Sequence, residues 1–240
     1  GTEFRATPNH IGFGKLRADA ALNYTYLMWK RSIGFRIGTT RGVRASKDGE
    51  TVSGLQVRTN QEVADAVWIL RTSRVPAEAR YHEHFYSVKY GIPTMVFFAR
   101  GRRMDISQDL IDRLYQGIDS EAGAARLMED LHLDRRYPHH RPGGVTRAAG
   151  PTGPAWSRRH VLFTVFGDGR KREHVEWHDH RVQLVTTDPV MRAAAASRFP
   201  VREGVRGTWR IETSRKHYHD ALGLAEDIGT LAEDMEVVPR

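Results

Sequence analysis

Four side chains in the first ninety residues are of the types that phosphodiester hydrolysis uses: the phenol of Tyr26, the guanidiniums of Arg36 and Arg58, and the carboxylate of Glu83. A carboxylate can hold a divalent metal, arginines can offset charge on the developing phosphorane, and a phenol can relay the proton of the attacking water. The ten-residue spacing from Tyr26 to Arg36 suits facing positions on two strands of a hairpin, while Arg58 and Glu83 fall in helical stretches. The four act together only if the fold carries them to one surface. Taken singly, Tyr26 reads as a packed strand aromatic and Glu83 as a solvated helix carboxylate beside Arg80.

The elements that must position them are legible as runs. A short helix is expected over 15–22. β-Branched and aromatic runs at 23–28 (NYTYLM) and 34–40 (GFRIGTT) predict a hairpin. The Gly-rich, charged stretch 41–54 reads as a flexible insertion, followed by a helix over 55–66 and an apolar strand over 67–72. Pro76, Glu78 and Gly91 mark the start, first turn and stop of a helix over 76–90. The apolar run 94–99 (TMVFFA) predicts a central strand, and helices follow at 108–117 and 120–131. Four Pro and four Gly within 134–158 predict a linker. Beyond it, strands at 160–166, 180–187 and 208–213 with helices at 189–198 and 217–231 give a ββαβα module. The expected fold class is α+β: a small mixed sheet with flanking helices over 5–132, a linker over 133–155, and the second module over 156–240.

Charge narrows the partners. The 240 residues carry a net charge of +8, and residues 1–100 contribute +7 of it, with 15 Lys+Arg against 8 Asp+Glu. Thirty-one of the 37 basic residues are Arg, whose planar fork suits phosphate and base edges. The chain has no Cys, which excludes disulfide scaffolds, Cys-ligated zinc and thiol nucleophiles. With neither a long apolar run nor a secretory leader, the sequence predicts a soluble protein of the cytoplasm, at the bacterial nucleoid.

The run Tyr26-Leu27-Met28, then Phe35-Arg36-Ile37-Gly38-Thr39-Thr40, then Arg58 and Glu83, resembles the GIY-YIG nuclease family over roughly residues 23–98. That pattern has a Tyr on the first strand, Tyr-Ile-Gly-x-Thr on the second, an Arg on the first helix and a Glu on a later one. The resemblance implies a base or base-relay role for Tyr26 and close phosphate approach at Gly38. It further implies transition-state stabilisation by Arg58, and a divalent metal, Mg²⁺ or Mn²⁺, on Glu83. Two positions depart from it. Arg36 stands where the second Tyr belongs, leaving Tyr26 or its neighbour Tyr24 as the phenol. Glu62 stands one turn after Arg58, where a His or Tyr often sits. A broader series is similar to the endonuclease insert of inteins in bacterial helicase-type genes: YLMWKRSIGFRIGTTRG, SGLQVRTNQEVADAVWIL, EARYHEHFYSVKYGIPT, PHHRP, HRVQLVTTD and TWRIETSRKHYHDAL. It implies a site-specific homing endonuclease acting on double-stranded DNA; since a single GIY-YIG site cuts one strand at a time, double-strand cleavage would need a dimer on the DNA or a second visit. Splicing is not expected, because the splicing nucleophile and the terminal His-Asn pair are missing.

Arg41 and Arg44 in the insertion, and Arg181, Arg210 and Arg215 on the second module's strands, are the further candidate DNA contacts, joined by Trp177, Gln183 and Trp209. The alternatives are a LAGLIDADG-type homing endonuclease, although the nearest Gly-Asp-Gly, at 167–169, closes a strand, and a non-catalytic DNA binder derived from a nuclease. His82 and His84, two apart on a helix, point about 200° apart and cannot share one metal. His178 and His180 could form a pair on one strand face, and His139 and His140 read as solvated. Tyr81, Phe85 and Val88, at i, i+4 and i+7, read as core.

Overall fold

The computed structural model describes residues 18–45, 51–99, 104–142, 160–165, 179–204 and 207–239. It is a mixed α+β fold in which small sheets are flanked by helices. Strands β1 (Asn23–Lys30) and β2 (Gly34–Arg41) form the expected hairpin, with Tyr26 paired to Gly38 and Met28 to Arg36. Strand β5 (Ala66–Ser73) pairs antiparallel on the other side of β1, so the order is β2-β1-β5. The middle place of β1 follows from its composition, since all its residues from Tyr24 to Met28 are buried.

Alternation along these strands sorts side chains onto two layers. Leu27, Phe35 and Ile37 face helices α2 (Pro76–Tyr90) and α4 (Ser120–Asp130) through Tyr86, Tyr90, Ala124 and Leu127. Tyr24, Tyr26 and Met28 face Leu55 of α1 (Gly54–Glu62), and Ile111 and Tyr115 of α3 (Gln108–Gly117). Helix α2 has the predicted ends: Pro76 in its first turn, Glu78 beside the N-terminal dipole, and Gly91 at φ 67, after which Ile92 N donates to the Ser87 carbonyl at 3.1 Å.

Several expectations are corrected. Residues 18–22, the described part of the expected 15–22 helix, form a turn in which Asp19 Oδ1 accepts from Ala21 N at 2.8 Å. The 41–54 insertion contains an antiparallel pair, β3 (Val43–Ala45) and β4 (Thr51–Ser53), while 46–50 lie outside the described residues. The run 94–99 is not a strand. Its backbone groups are met by side chains instead: Arg36 donates to the Thr94 and Met95 carbonyls, Glu62 accepts from Phe97 N, and Gln108 spans Phe97 O and Ala99 N. His139 and His140 are not simply solvated. His140 exchanges both backbone hydrogen bonds with Val67, and His139 Nδ1 accepts from Ile69 N at 2.9 Å, along the outer edge of β5. Tyr81, Phe85 and Val88 are exposed rather than core.

A second core is built from residues beyond 160. Strands β6 (His160–Thr164), β7 (His180–Thr186), β8 (Arg202–Glu203), β9 (Trp209–Arg215) and β10 (Glu236–Pro239) take the order β10-β6-β7-β9-β8. Only β10 and β6 are parallel among these pairs, and β8 and β10 extend the expected strand set. Helices α5 (Pro189–Ala196) and α6 (Tyr218–Gly229) cover the face carrying Val182, Leu184 and Ile211. Asp188 caps α5 by accepting from Val190 N and Met191 N. Trp177, His178 and the Gly-Asp-Gly at 167–169 lie outside the described residues.

Candidate functional site

A cleft of about 670 Å³ opens where the β2 end, the β3–β4 pair, α1 and the first turn of α2 converge. Arg41, Arg44, Arg58 and Arg80 line it, and no carboxylate does among the described residues. Arg44 and Arg58 repel each other, and the Nε of each is buried without a hydrogen-bond partner. Desolvation, followed by repulsion from Arg58, pushes the Arg44 pKa below its usual value. Four guanidiniums without a carboxylate are stabilised when an anion enters. Of these, Arg41, Arg44 and Arg58 are sequence candidates. Arg80 was missed, although its place three residues before Glu83 puts it on a neighbouring part of the same helical surface.

Tyr26 lies under this cleft, fully buried at 1% exposure. Burial raises its pKa; the charges of Arg36 and Arg58 oppose that, and those of Glu62 and Glu83 add to it. These causes favour the neutral phenol, which can donate a hydrogen bond, over a standing phenolate base. Tyr24 offers no better base: it is buried, and burial followed by the Asp19 charge raises its pKa against a smaller opposing effect of the Asp19 backbone. Gly38, directly across from Tyr26, has the space over its Cα filled by that ring; an added Cβ would meet the hydroxyl at 2.6 Å and Cζ at 2.7 Å. This glycine seats the tyrosine, which changes the phosphate-approach role expected for it.

Arg36 is corrected in both place and role. It pairs across the hairpin with Met28, two positions along from Tyr26 but on the same face. Its guanidinium is buried and engaged: Nε donates to Met95 O at 2.8 Å, Nη2 to Thr94 O at 2.6 Å, and Nη1 to Glu62 Oε1 at 3.4 Å. Burial alone would lower its pKa, but Tyr26, Glu62, Tyr115 and Glu83 together raise it. It holds the backbone at Thr94 and Met95.

Glu83 sits in the inward-facing row of α2 with Ala79, Tyr86 and Tyr90, half-buried where apolar residues otherwise prevail. Thr39 Oγ1, itself at the cleft, donates to Glu83 Oε2 at 3.3 Å. Among the described residues no group of three or more His, Asp or Glu could hold a metal. A lone carboxylate still fits magnesium, which commonly takes one or two protein carboxylates and completes its shell with water and phosphate oxygens.

The second module separates its candidates. Register places Arg181 and Arg210 with Gln183 and Glu212 on the face turned away from α5 and α6. Arg181 and Arg210 both form ion pairs with Glu212, the latter at 3.3 Å. Arg215 pairs across to His180, on the opposite face, and donates to Thr213 Oγ1 and Ser214 O. Trp209 is core, with Nε1 donating to Asp188 O, and so does not face a groove. No described helix is long and apolar enough to cross a membrane. Comparison with protein-family models, curated proteins and solved structures returns no match.

Proposed function

We propose that this chain is a DNA endonuclease of the homing type that its sequence resembles, hydrolysing phosphodiester bonds in the arginine cleft with a GIY-YIG-like arrangement. The observation that carries the reading is the cleft itself: Arg44 and Arg58 line it with buried Nε atoms that have no hydrogen-bond partner. Arg41, Arg44, Arg58 and Arg80 bind the backbone and offset charge on the phosphoryl oxygens as it grows. Tyr26 holds or passes a proton below them. Glu83, steadied by Thr39, would hold Mg²⁺ or Mn²⁺, which supplies Lewis-acid polarisation of the phosphate when bound.

Arg36 and Glu62, the two positions that depart from the family pattern, form a buried ion pair with each other. The same pair favours a second reading, a DNA binder without catalysis, because it removes the second phenol.

The test is nicking or linearisation of a supercoiled plasmid carrying the host-gene site, with Mg²⁺, by the full chain and by Glu83→Ala. Cutting by the parent alone, with binding retained by the variant, is expected. Equal cutting by both sinks the metal assignment. Salt-sensitive binding without any cut product establishes the second reading.

A further inference from the structure

The side chains that line the cleft divide by what they have left to offer a ligand. Most of the neutral ones able to read a base edge already hold a hydrogen bond within the protein. Asn23 Nδ2 donates to Ser73 O at 3.4 Å, Gln61 Oε1 accepts from Arg58 Nη1 at 3.2 Å, Thr39 Oγ1 donates to Glu83 Oε2, and Thr40 Oγ1 donates to Arg41 O. Thr51 is left, and a lone hydroxyl suits any base. No aromatic ring lines the cleft among the described residues, so a base finds no platform to stack on.

What remains is charge. Arg44 is desolvated and repelled by both Arg58 and Arg41, and the buried Nε atoms of Arg44 and Arg58 have no partner. A guanine edge could meet such a fork, but a neutral base leaves the repulsion in place, whereas a phosphate removes it. One phosphodiester brings a single negative charge to four guanidiniums, so the scissile phosphate alone leaves most of that repulsion standing. The volume of about 670 Å³ also exceeds what one phosphate fills and suits a ligand of at least nucleotide size. We infer that the cleft holds at least two consecutive phosphates of a DNA strand and grips none of its bases, so that any choice of sequence is made outside it. The inference rests on the nuclease or DNA-binding reading of the cleft and adds to it how many phosphates enter and that the bases stay out.

The experiment uses the full chain without divalent metal and three fluorescein-labelled probes: a thymidine pentamer, an adenosine pentamer of DNA, and a pentamer in which tetrahydrofuran replaces every nucleoside but all phosphates remain. Anisotropy titrations over a range of salt compare the parent with Arg44→Ala/Arg58→Ala, which removes two mutually repelling cations and so does not threaten the fold. The parent is expected to bind all three probes within about twofold of one another, because only phosphates are held. The double variant should lose about 1.4 from the slope of log affinity against log salt, as for two phosphates on a single strand. Binding of the abasic probe about tenfold or more weaker than that of the pentamers, with the arginines still required, shows that bases are gripped; it overturns the inference and leaves the cleft reading standing. A slope change of about 0.7 or less, with weakened binding, reduces the site to one phosphate and overturns it likewise. If inorganic pyrophosphate competes at lower concentration than the unlabelled abasic pentamer, the cleft is a site for a free diphosphate and the inference fails. Salt-dependent binding that the double variant keeps in full, or no binding by the parent, overturns the cleft reading and the inference together.

Discussion

The guanidinium of Arg36 and the carboxylate of Glu62 meet at 3.4 Å with both side chains buried, and between them they fasten the 94–97 backbone by three hydrogen bonds. Removing one partner strands the other charge in the interior. Glu62→Gln and Arg36→Met are each expected to lower unfolding free energy by about 3–5 kcal/mol, and the double variant by less than the sum. Urea denaturation of all four proteins checks this. Arg36→Tyr, which introduces the tyrosine of the GIY-YIG pattern, should destabilise similarly because Thr94 and Met95 lose their donor.

Gly38 and Tyr26 make a steric pair. Gly38→Ala is expected to cost roughly 1–3 kcal/mol, since Cβ enters space held by the Tyr26 hydroxyl and Cζ. In combination with Tyr26→Leu the cost of the alanine should shrink. Additive costs in a thermal denaturation cycle would contradict the packing described.

Arg44→Ala and Arg58→Ala should each reduce the slope of log affinity against log salt by about 1, uniformly across DNA sequences. The same substitution at Arg36 should leave that slope unchanged in the folded fraction, because its donors are turned inward. Fluorescence titrations at several salt concentrations distinguish the two.

Burial pushes the His180 imidazole below its usual pKa against a smaller opposing pull from Asp179, and desolvation does the same to His139, whose Nδ1 accepts from Ile69 N. The unfolded chain then binds protons more readily than the folded one. Stability should be full above about pH 6.5 and fall as pH drops below it towards the folded pKa values. Melting temperatures read across that window check the direction, and His180→Gln should flatten part of the slope.

The legible parts of the fold are those with local signals. β1 and β2 announce themselves by aromatic and β-branched runs, and α2 by Pro76, Glu78 and Gly91. The run 94–99 has the composition of a strand, but its partners are Arg36, Glu62 and Gln108, and nothing within the run signals that side chains will replace a ladder. On α2 the periodicity pointed to Tyr81, Phe85 and Val88 as the core stripe; Ala79, Tyr86 and Tyr90 are buried instead and Tyr81 and Phe85 stay outside. At the site, Arg58 and Glu83 could be proposed from spacing and family likeness. The inward engagement of Arg36 depended on where residues 94–97 would run, which is tertiary information.

The hydrogen bonds from Val67 and Ile69 to His140 and His139 bear on how the protein can be handled and how it can assemble. They occupy the free side of β5, while Ile37 N on β2 is taken by the Pro93 carbonyl. A fragment trimmed at residue 132, at the limit suggested by the Pro- and Gly-rich stretch after it, would lose that cover and present raw strand backbone to its neighbours. Such a fragment would be prone to aggregate by strand addition, whereas one extended through Arg141 would keep the flank sealed. At Val67, Ile69 and Ile37 the outer sides of the three-stranded sheet offer no free backbone to a second copy.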